Sequence, residues 1–554
     1  MFKEFQDQVA SLVDEALQNR GLEADPVYTI PTVESFGDLS TNVAFQLAST
    51  LKKAPAEIAR SLAEEIKPAG LVKEVKAAEG YLNFYLDYRA LAEALLPQVG
   101  PGYGRGRGKE KVIIEHTSAN PDGPLHIGHL RNAVIGDTLA RIMRFAGYDV
   151  EVHYYLNDMG KQAAKVVWGR RRFRLEGGKK DAATARVYIE ASRVIEEEGR
   201  EDELSQMLSQ YEAGDEKVVE EFKAAVEYCL EGIKETLTRL GIRHDRFVWE
   251  SAFVRDGSVE KIIHRLASSG HGKKVDGALM VDLSPFGIEK EMVLTRSDGT
   301  SLYIARDLAH HAWKLGRGRA VNVWGADHKL VASQLSAALT ILGFEPPEFI
   351  IHEFISLPTG GMSTRKGVFI SADELIEETV EKALEEVESR RSDMAEDAKR
   401  RIAEHIGVAA VRFNIARIAP EKSMVFKWDE ALDFERQGAP FIQYAYARGI
   451  KILQRASTEA AAGHGAPEPD PSEKRLLKVI SRFPLAVEEA AASRKVSTVA
   501  AYTIELANTF HSFYMSSRVL GSDREGFRLS LVKAAVHVLG SAMELLGIER
   551  LDEM

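Results

Sequence analysis

The pattern of apolar and polar positions near the start of the chain predicts a domain that mixes helices and strands. FGDLSTNVAFQLAS is typical of a turn followed by a helix, and GYLNFYLD alternates as a short strand does. Before them, apolar residues recur at the spacing of an amphipathic helix, namely Phe5, Val9, Leu12, Val13 and Leu17. We therefore expect a small α+β domain over residues 1–100.

The pattern changes at Lys111, where the apolar segment KVIIEH predicts a strand. A helix with one apolar face follows and ends at Gly147, and Val150, Val152 and Tyr154 then alternate as in a second strand. The face of the helix is formed by Ile135, Leu139, Ile142 and Ala146. A strand, a helix and a strand in this order predict a βαβ unit of a parallel sheet.

Further along, highly charged helical sequence is followed by short strands such as GALMVDL and AVNVWG. This order predicts one α/β domain over residues 101–370 with a helical insertion at about 165–245. Beyond Ser371 almost every segment has helical period, interrupted by the loop AAAGHGAPEPDPSE. We expect a connecting helical region over 371–425 and an all-helical domain over 426–554.

The segment PGYGRGRGKEK, residues 101–111, places four glycines among basic residues. Such a composition is typical of a linker between domains. A strap that faces a phosphate is the less favoured alternative, in which glycine exposes the backbone and the arginines carry charge. Both interpretations stay open at this point.

Composition limits the classes of protein and of site that are possible. A chain of 554 residues exceeds what one core usually serves, so three or four domains are expected. The net charge of -11 disfavours general binding to polyanions, so a nucleic-acid partner would need a local basic surface. One cysteine, Cys229, excludes an intramolecular disulfide and a multi-cysteine zinc site. No uninterrupted apolar stretch of ~18 residues and no signal-peptide pattern occur, so we expect a cytoplasmic protein without a membrane partner.

The segment HTSANPDGPLHIGHLRNAVIGD, residues 116–137, carries the most informative chemistry. Its prolines and glycines exclude a regular helix at first, so the strand must lead into a loop before a helix begins near His126. His126 and His129 then lie on the first helical turn, where unpaired N–H groups and the helix dipole favour an anion. The spacing alone is also compatible with a capped helix start that carries two ordinary histidines.

The longer segment SANPDGPLHIGHLRNA resembles the HIGH region of class I aminoacyl-tRNA synthetases, and its flanks are similar to those of arginyl-tRNA synthetases. The resemblance implies a Rossmann-like domain in which His126 and His129 are catalytic and stabilise the α-phosphate of ATP as pyrophosphate leaves. It also places Ser118 and Gly128 at ATP-binding positions. Some arginyl enzymes have a lysine just before HIGH, where this chain has Gly123.

The second signature of the family is expected some two hundred residues later, and LPTGGMSTRKGVFI, residues 357–370, resembles its KMSKS loop. By composition alone this segment would be a solvated basic turn. Gly361 and Thr364 stand where the two lysines of the motif would be. The resemblance therefore implies that the charge comes from Arg365 and Lys366, as catalytic residues. The ATP-binding positions that it implies are Met362 and Ser363 in this loop, and Gly325, Asp327 and His328 in the segment WGADH.

An arginine substrate should require carboxylates, because a planar guanidinium favours bidentate acceptors. Tyr303 and Asp307 are four residues apart and lie on one helical face. The resemblance implies that this pair binds arginine together with Glu115, Asn120 and Gln334. Three other histidines, His116, His310 and His311, show no metal-ligand spacing with a third partner and are interpreted as structural.

The C-terminal helices contain aromatic and basic residues that could contact RNA. Tyr444 and Arg448 could stack on unpaired bases, although aromatic residues at helical spacing are also typical of a core. The resemblance implies a DALR-type anticodon-binding domain whose terminal Met554 contacts the anticodon. It also implies that the N-terminal domain contacts the D-loop of tRNA, with Asn83 and Phe84 as candidate residues.

The resemblance thus implies an arginine-tRNA ligase that takes L-arginine, ATP with Mg²⁺ and tRNA(Arg), without zinc. Arginyl-adenylate would form first, and the arginyl group would then pass to the 2'-hydroxyl of the terminal adenosine. The alternative is a catalytically silent tRNA-binding protein derived from a class I synthetase. The valine, leucine and isoleucine enzymes need a large editing insertion that this chain lacks. We expect a monomer.

Overall fold

The computed structural model describes residues 1–175, 177–358, 370–456 and 466–554. The first hundred residues form an antiparallel sheet of order β1-β2-β4-β3 covered by helices. Its elements are α1 (Phe2–Gln18), β1 (Tyr28–Thr29), β2 (Leu39–Thr41), α2 (Val43–Leu51), α3 (Pro55–Glu65), β3 (Val72–Ala78), β4 (Tyr81–Leu86) and α4 (Tyr88–Leu95). The predicted mixture of helices and strands is confirmed. The residues Leu39–Thr41, which we expected in a turn, form an additional strand that pairs with β1 and β4.

A parallel sheet of order β12-β11-β5-β6-β7 forms the centre of the molecule, which confirms the predicted α/β fold. Helices cover it, as expected for strands joined by crossover connections. The elements from the first strand of this sheet to β7 are, in chain order, β5 (Lys111–Glu115), α5 (Ile127–Phe145), β6 (Asp149–Leu156), α6 (Lys161–Arg170), α7 (Lys180–Glu198), α8 (Glu201–Glu212), α9 (Glu216–Arg239) and β7 (Arg246–Trp249). Helices α6 to α9 occupy most of the charged stretch in which we expected an insertion.

A small antiparallel sheet of order β10-β9-β8 follows, and it was not expected as a separate unit. The elements of this part are α10 (Glu250–Arg255), α11 (Ser258–Ala267), β8 (Gly272–Val275), β9 (Ala278–Val281), β10 (Met292–Val293), α12 (Tyr303–Leu315), β11 (Arg319–Gly325), α13 (Lys329–Ile341), β12 (Glu348–His352) and β13 (Ile355–Ser356). Helix α12 leads directly into β11 and so reaches the central sheet.

From residue 370 onward, the described residues are helical apart from one short strand and the connecting loops. The elements of this part are α14 (Ala372–Arg390), α15 (Glu396–Ala416), β14 (Met424–Val425), α16 (Trp428–Ala431), α17 (Ala439–Arg455), α18 (Pro471–Ser493), α19 (Val496–Ser516) and α20 (Glu525–Leu546). Strand β14 pairs in parallel with β13, which the helical period did not predict. Helix α18 begins at Pro471, inside the stretch expected to be a loop, because Asp470 and Glu473 form a capping box there.

Helix α20 is, among the described residues, the one helix long and apolar enough by length and composition to cross a membrane. Its most apolar window has a mean hydropathy of 1.5, and 67% of that window is buried inside the fold. It packs against α17, α18, α19 and α5. Its apolar side chains therefore serve the core of the helical region.

Helix α5 is the central element of the fold. It is buried along most of its length and packs against the parallel sheet on one side and against α14, α15, α18, α19 and α20 on the other. Its 19 residues span about 28 Å. One rigid helix therefore connects the sheet edge at its first turn with the C-terminal helices.

The basic segment 101–111 lies at the far end of α5. The N–H of Gly106 donates to the carbonyl of Phe145 at 2.9 Å, and the N–H of Lys109 donates to that of Gly147 at 3.0 Å. A Cβ on Gly106 would lie 2.1 Å from the carbonyl oxygen of Ala146, so this close approach requires glycine. The segment is thus a linker docked on the C-terminal end of α5. It is not a strap over a phosphate at the first turn of that helix.

Candidate active site

A cavity of about 420 Å³ opens at the carboxyl ends of the central strands. It lies where the strand order reverses at β5, which has β6 on one side and β11 on the other. Open parallel sheets bind ligands at such a switch point. The predicted site residues that line the cavity are Glu115, Ser118, Asn120, His126, Gly128, His129, Tyr303, Asp307, Gly325, Asp327 and His328.

The loop after β5 begins with a strained turn. Thr117 and Ser118 have φ angles of +67° and +40°, which non-glycine residues adopt at a cost of about 1–3 kcal/mol each. Asn132 of α5 holds this turn, since its side-chain oxygen accepts from the N–H of Thr117 at 2.6 Å and its amide donates to the carbonyl of Val323 at 2.6 Å. The hydroxyl of Ser118 accepts from the N–H of Tyr155 at 3.0 Å. Three neighbouring strands are thereby fixed around the cavity.

The two signature histidines stack at the first turn of α5, with ring centroids 3.6 Å apart. His126 is the N-cap residue, and its Nδ1 accepts from the N–H groups of Gly128 and His129 at 3.0 and 3.2 Å. These two backbone groups are therefore occupied by an imidazole, which corrects the expectation that they are unpaired and available to an anion. The same bonds place the ring proton of neutral His126 on Nε2.

Burial determines the charge of both rings. It lowers the pKa of His126 below its ordinary value, although the nearby Asp327 opposes this, and it lowers the pKa of His129 to about 3. Both imidazoles are therefore neutral at pH 7. They can act as N–H donors to a phosphate oxygen, and they do not supply positive charge.

Acidic and phenolic groups collect at the β5, β6 and β7 side of the cavity. Tyr303 and Asp307 lie on the first two turns of α12 and both line the cavity, as their spacing predicted. The ring of Tyr303 is 59% exposed, whereas the side chain of Asp307 is 16% exposed. Asn120 lies at the same cavity and donates to Gln162 at 2.6 Å. This end can bind a guanidinium.

Gln334 does not line the cavity. It is buried on α13, and its amide donates to the carbonyl of Lys290 at 3.1 Å. The role that the resemblance implied for it, at the α-amino end of arginine, would require the amide to leave Lys290.

Glu115 is already paired with a buried cation. The ammonium of Lys314 donates to the Glu115 carboxylate at 2.7 Å and to Asn322 Oδ1 at 2.7 Å. Both charged side chains are almost wholly buried. The charge of Glu115 is therefore compensated by the protein, and Asp307 provides a carboxylate with more access to a ligand.

Glu250 is a cavity residue that the sequence did not single out. It follows β7 directly, as the other site residues follow their strands, and this position at the carboxyl edge was the available signal. Burial raises the pKa of its carboxyl group to about 7, although Arg306, whose guanidinium lies 2.8 Å away, opposes this. A carboxyl group that titrates near neutrality is a frequent feature of functional sites.

The pair His310 and His311 does have a third partner, contrary to our expectation. Their ligand atoms and an oxygen of Asp307 lie within 4.8 Å of one another. However, His311 Nε2 lies 2.8 Å from the amide nitrogen of Asn322, which makes it an acceptor and leaves the proton on Nδ1, 2.8 Å from the carbonyl of Asp307. This tautomer opposes metal binding at Nδ1. His116 is buried and packs on His244, with ring centroids 4.4 Å apart.

The β11 and β12 side of the cavity carries fewer carboxylates, and the backbone of Gly325 lines it. Gly325 ends β11, and a Cβ there would lie 2.6 Å from the side-chain oxygen of Asp327, which would have to move to make room for it. Asp327 contacts His328 at 3.1 Å, and both side chains are more than half exposed. The wall is completed by His352, Glu353, Phe354 and Ile355, none of which the sequence had indicated.

The candidate D-loop residues are not at the surface. Asn83 is buried and accepts from the hydroxyl of Ser40, and Phe84 is fully buried in the core. The expectation that these side chains present themselves to RNA is therefore corrected. Tyr81, the first residue of the same strand, is 44% exposed, and its ring lies 5.0 Å from the half-exposed ring of Phe45.

The candidate anticodon residues lie near the surface. Tyr444 and Arg448 are exposed on one face of α17, and the guanidinium of Arg448 lies over the ring of Tyr514 at 5.5 Å. Met554 is partly buried, and its carbonyl accepts from Arg391 at 2.6 Å. The terminal residue is thus tied to the turn between α14 and α15.

The residues assigned to the second signature loop lie outside the described residues. These are Gly361, Met362, Ser363, Thr364, Arg365 and Lys366. The chain resumes at the capping box of Ser371 and Glu374, and the N–H of Ala372 donates to the carbonyl of Leu125 at 2.7 Å. The start of α14 is thus attached to the loop just before the signature histidines.

Comparison with known proteins agrees with this geometry. Residues 92–428 match the family model described as tRNA synthetases class I (R), catalytic domain. Residues 4–86 match the arginyl tRNA synthetase N terminal domain, and residues 442–554 match the DALR anticodon binding domain.

Similar proteins cover the full chain. The chain is 46% identical to the arginine-tRNA ligase of Methanothermobacter thermautotrophicus, with 100% of both chains covered. It is 48% identical to that of Methanocaldococcus jannaschii, with 94% of each covered. The solved structure of the Thermus thermophilus arginyl-tRNA synthetase superposes with a TM-score of 0.85 at 30% identity, covering 99% of this chain and 100% of that one. The cavity, the domain order and these similarities together show that the chain belongs to the arginyl-tRNA synthetase family of class I.

Proposed function

We propose that the chain ligates L-arginine to tRNA(Arg) at the expense of ATP. A carboxylate oxygen of arginine attacks the α-phosphorus of ATP, and the bond to the β-phosphate breaks, giving arginyl-adenylate and pyrophosphate. The 2'-oxygen of the terminal adenosine then attacks the arginyl carbonyl, and AMP leaves. The observation that supports this best is one cavity whose acidic end, at Tyr303 and Asp307, adjoins the stacked histidines of α5.

In this proposal Asp307 accepts from the guanidinium, because charged hydrogen bonds of this type are strong and specific. Tyr303 covers the ligand from the same face of α12. Glu115, compensated by Lys314, accepts a further N–H without adding net charge. Asn120 contributes a polar contact from the opposite loop.

At the other end, neutral His126 and His129 donate to the α-phosphate as its charge develops in the transition state. Ser118, Gly128, Gly325, Asp327 and His328 surround the nucleotide. Arg365 and Lys366, with Met362 and Ser363, supply the charge and contacts of the second signature. Preorganised donors at developing charge are a large term in catalysis.

Mg²⁺ would accompany ATP and neutralise its phosphates. Carboxylate and phosphate oxygens are the ligands that Mg²⁺ prefers, and Asp327 and Glu353 are carboxylates on the nucleotide side of the cavity. Glu353 also contacts the ammonium of Lys329 at 2.6 Å and would have to exchange that partner for the ion, whereas Asp327 is more than half exposed. We propose no zinc, because Cys229 is the single cysteine of the chain.

For tRNA, we propose that Tyr444, Arg448 and Met554 contact the anticodon loop. The exposed pair Phe45 and Tyr81, whose rings are tilted by 57° to each other, takes over the D-loop contact expected of Asn83 and Phe84, since an exposed aromatic ring can stack on an unpaired base. We also propose that the protein acts as a cytoplasmic monomer without a membrane partner.

ATP-pyrophosphate exchange tests this proposal. Each amino acid is supplied separately, with and without tRNA, and exchange is expected with arginine when tRNA(Arg) is present. Exchange with a different amino acid would overturn the substrate. Failure to exchange under any condition, in a protein that still binds tRNA, would support the silent tRNA-binding alternative.

A further inference from the structure

Arg131 is a fully buried arginine whose side chain spans two chain segments. It lies on α5, two residues after His129. Its Nη1 donates to the carbonyls of Glu353 and Phe354 at 2.6 and 3.0 Å. Its Nη2 points to a second segment, where it donates to the carbonyls of Ala419, Pro420 and Lys422 at 3.3, 3.4 and 2.7 Å.

This arrangement is unusual in its chemistry. Among the described residues no carboxylate lies within 4 Å of the Arg131 guanidinium, so all the partners given above are neutral carbonyls. Burial without an ion pair is costly for a cation, and it lowers the pKa of Arg131 to about 10. A neutral side chain could fill such a core position at less cost. The benefit must come from the geometry of a rigid fork that meets several carbonyls at once.

The carbonyls that Arg131 contacts belong to one wall of the cavity and its support. Glu353 and Phe354 line the cavity directly. The support is the turn before β14, where the N–H of Glu353 donates to the carbonyl of Pro420 at 2.9 Å and that of Met424 to Phe354 at 3.0 Å. Arg131 lies between wall and support and contacts both.

Asn132, the next residue of α5, contacts the same side of the cavity. Asn132 donates to the carbonyl of Val323 in β11, and its amide nitrogen lies 3.4 Å from His352 Nε2 in β12. Helix α5 thus carries His126 and His129 and also fixes the ends of β11 and β12. The distance between the histidines and the opposite wall is set through this single helix.

We propose that Arg131 is a positioning residue for ATP, because it holds the wall at Glu353 and Phe354 in register with His126 and His129. It does not touch the ligand itself. The inference rests on the proposed function, since it concerns the nucleotide side of that site. The arginine side, at Tyr303 and Asp307, is built on other elements and does not contact Arg131.

The test compares Arg131→Lys with Arg170→Lys in the full-length protein. Lysine keeps the charge and loses the fork. Arg170 is the control, because its guanidinium also donates to a backbone carbonyl, that of Ala224 at 2.7 Å, and its side chain does not line the cavity. Wild-type exchange with arginine and tRNA is measured first, so that a failure of the proposed function is recognised separately.

Arg131→Lys is expected to raise the KM for ATP at least tenfold and to change the KM for arginine less than twofold. Arg170→Lys should leave both constants within twofold. An unchanged KM for ATP in folded Arg131→Lys would overturn the proposal, and so would an equal rise of both constants. If Arg131→Lys does not fold, Phe354→Ala is measured instead. If this wall positions ATP, removing the Phe354 ring must raise the KM for ATP and leave the KM for arginine unchanged.

Discussion

The guanidinium of Arg412 and the carboxylate of Asp137 form a buried ion pair with a separation of 2.6 Å. Asp137 lies on α5, and Arg412 lies on α15. Arg412 also donates to the carbonyls of Leu546 and Leu240 at the ends of α20 and α9. The pair therefore joins the signature helix to the connecting region, the C-terminal helices and the helical insertion.

Replacing Asp137 by asparagine should destabilise the protein. The change leaves Arg412 buried with reduced compensation, which costs about 3 kcal/mol for a disrupted buried pair. Urea denaturation should show this loss in the free energy of unfolding. The exposed Asp149→Asn, on the neighbouring strand β6, serves as control and should have no measurable effect. Equal stability of both variants would contradict the joining role of the pair.

Asp307→Asn should weaken arginine binding and leave ATP binding unchanged. The substitution keeps the shape and removes the charge that faces the guanidinium, which costs about 1.5–3 kcal/mol for a charged hydrogen bond. The KM for arginine should therefore rise about tenfold to a hundredfold. Asp298→Asn, on an exposed turn before α12, is the control. A KM for arginine within twofold of wild type would remove Asp307 from the site.

The sequence was sufficient to predict the parallel sheet, the signature helix and the shared helical face of Tyr303 and Asp307 on α12. These features depend on local period and spacing, as in KVIIEH and in the four-residue spacing of Tyr303 and Asp307. It was not sufficient for contacts between distant segments. The pairing of Glu115 with Lys314 does not follow from local pattern, because it depends on how α12 packs against β5. Glu250 directly follows a strand, but the local pattern does not show that this strand ends beside the cavity.

The orientation of side chains explains the other corrections. Asn83 and Phe84 are adjacent in β4 and point to opposite faces of the sheet, yet both are buried. A segment match alone does not say that both faces are covered at this point. His126 could not be predicted as an N-cap acceptor, because histidine rarely serves in that role.

Glu250 predicts a pH dependence of arginine binding near neutrality. Burial raises the pKa of its carboxyl group to about 7, against an ordinary value of 4.5, with Arg306 opposing and Asp158 and Asp307 adding to the rise. As pH increases from 6 to 8 the group ionises, so the KM for arginine should fall. His129, with a pKa of about 3, stays neutral over this range.

The raised pKa of Glu250 also makes the free energy of unfolding depend on pH. A carboxyl group whose pKa is raised by folding contributes stability below pH 4.5, and that contribution is lost as pH rises through 7. Glu250→Gln should remove both pH dependences, whereas the exposed Glu260→Gln should retain them. A KM profile for Glu250→Gln that matches wild type would exclude this group.

Adenylate formation should depend on tRNA. Binding of RNA at the C-terminal helices can shift the population of competent active sites, because α20 is joined to α5 through Arg412. We expect negligible ATP-pyrophosphate exchange with arginine alone and strong exchange after tRNA is added. Deletion of residues 552–554 should abolish this rescue, since it removes Met554 and its bond to Arg391.

Glu553→Gln is the control for the deletion. It removes only the ion pair of Glu553 with Arg391, at 3.1 Å, and keeps Met554 in place. Rescue by tRNA should persist in this variant. Strong exchange by the wild-type protein without any tRNA would contradict the coupling and leave the assignment of the enzyme intact.

Arginylation of tRNA tests the central claim most directly. Purified full-length protein is incubated with labelled L-arginine, ATP, Mg²⁺ and tRNA(Arg), and acid-insoluble label is measured against Asp307→Asn and against tRNA lacking a terminal 2'-hydroxyl. We expect the wild-type protein to form arginyl-tRNA from intact tRNA only when ATP is present. At low arginine concentration, Asp307→Asn should form much less arginyl-tRNA. The tRNA that lacks the 2'-hydroxyl should not be charged. Absence of arginyl-tRNA with the wild-type protein, or equal charging of the modified tRNA, would contradict this claim.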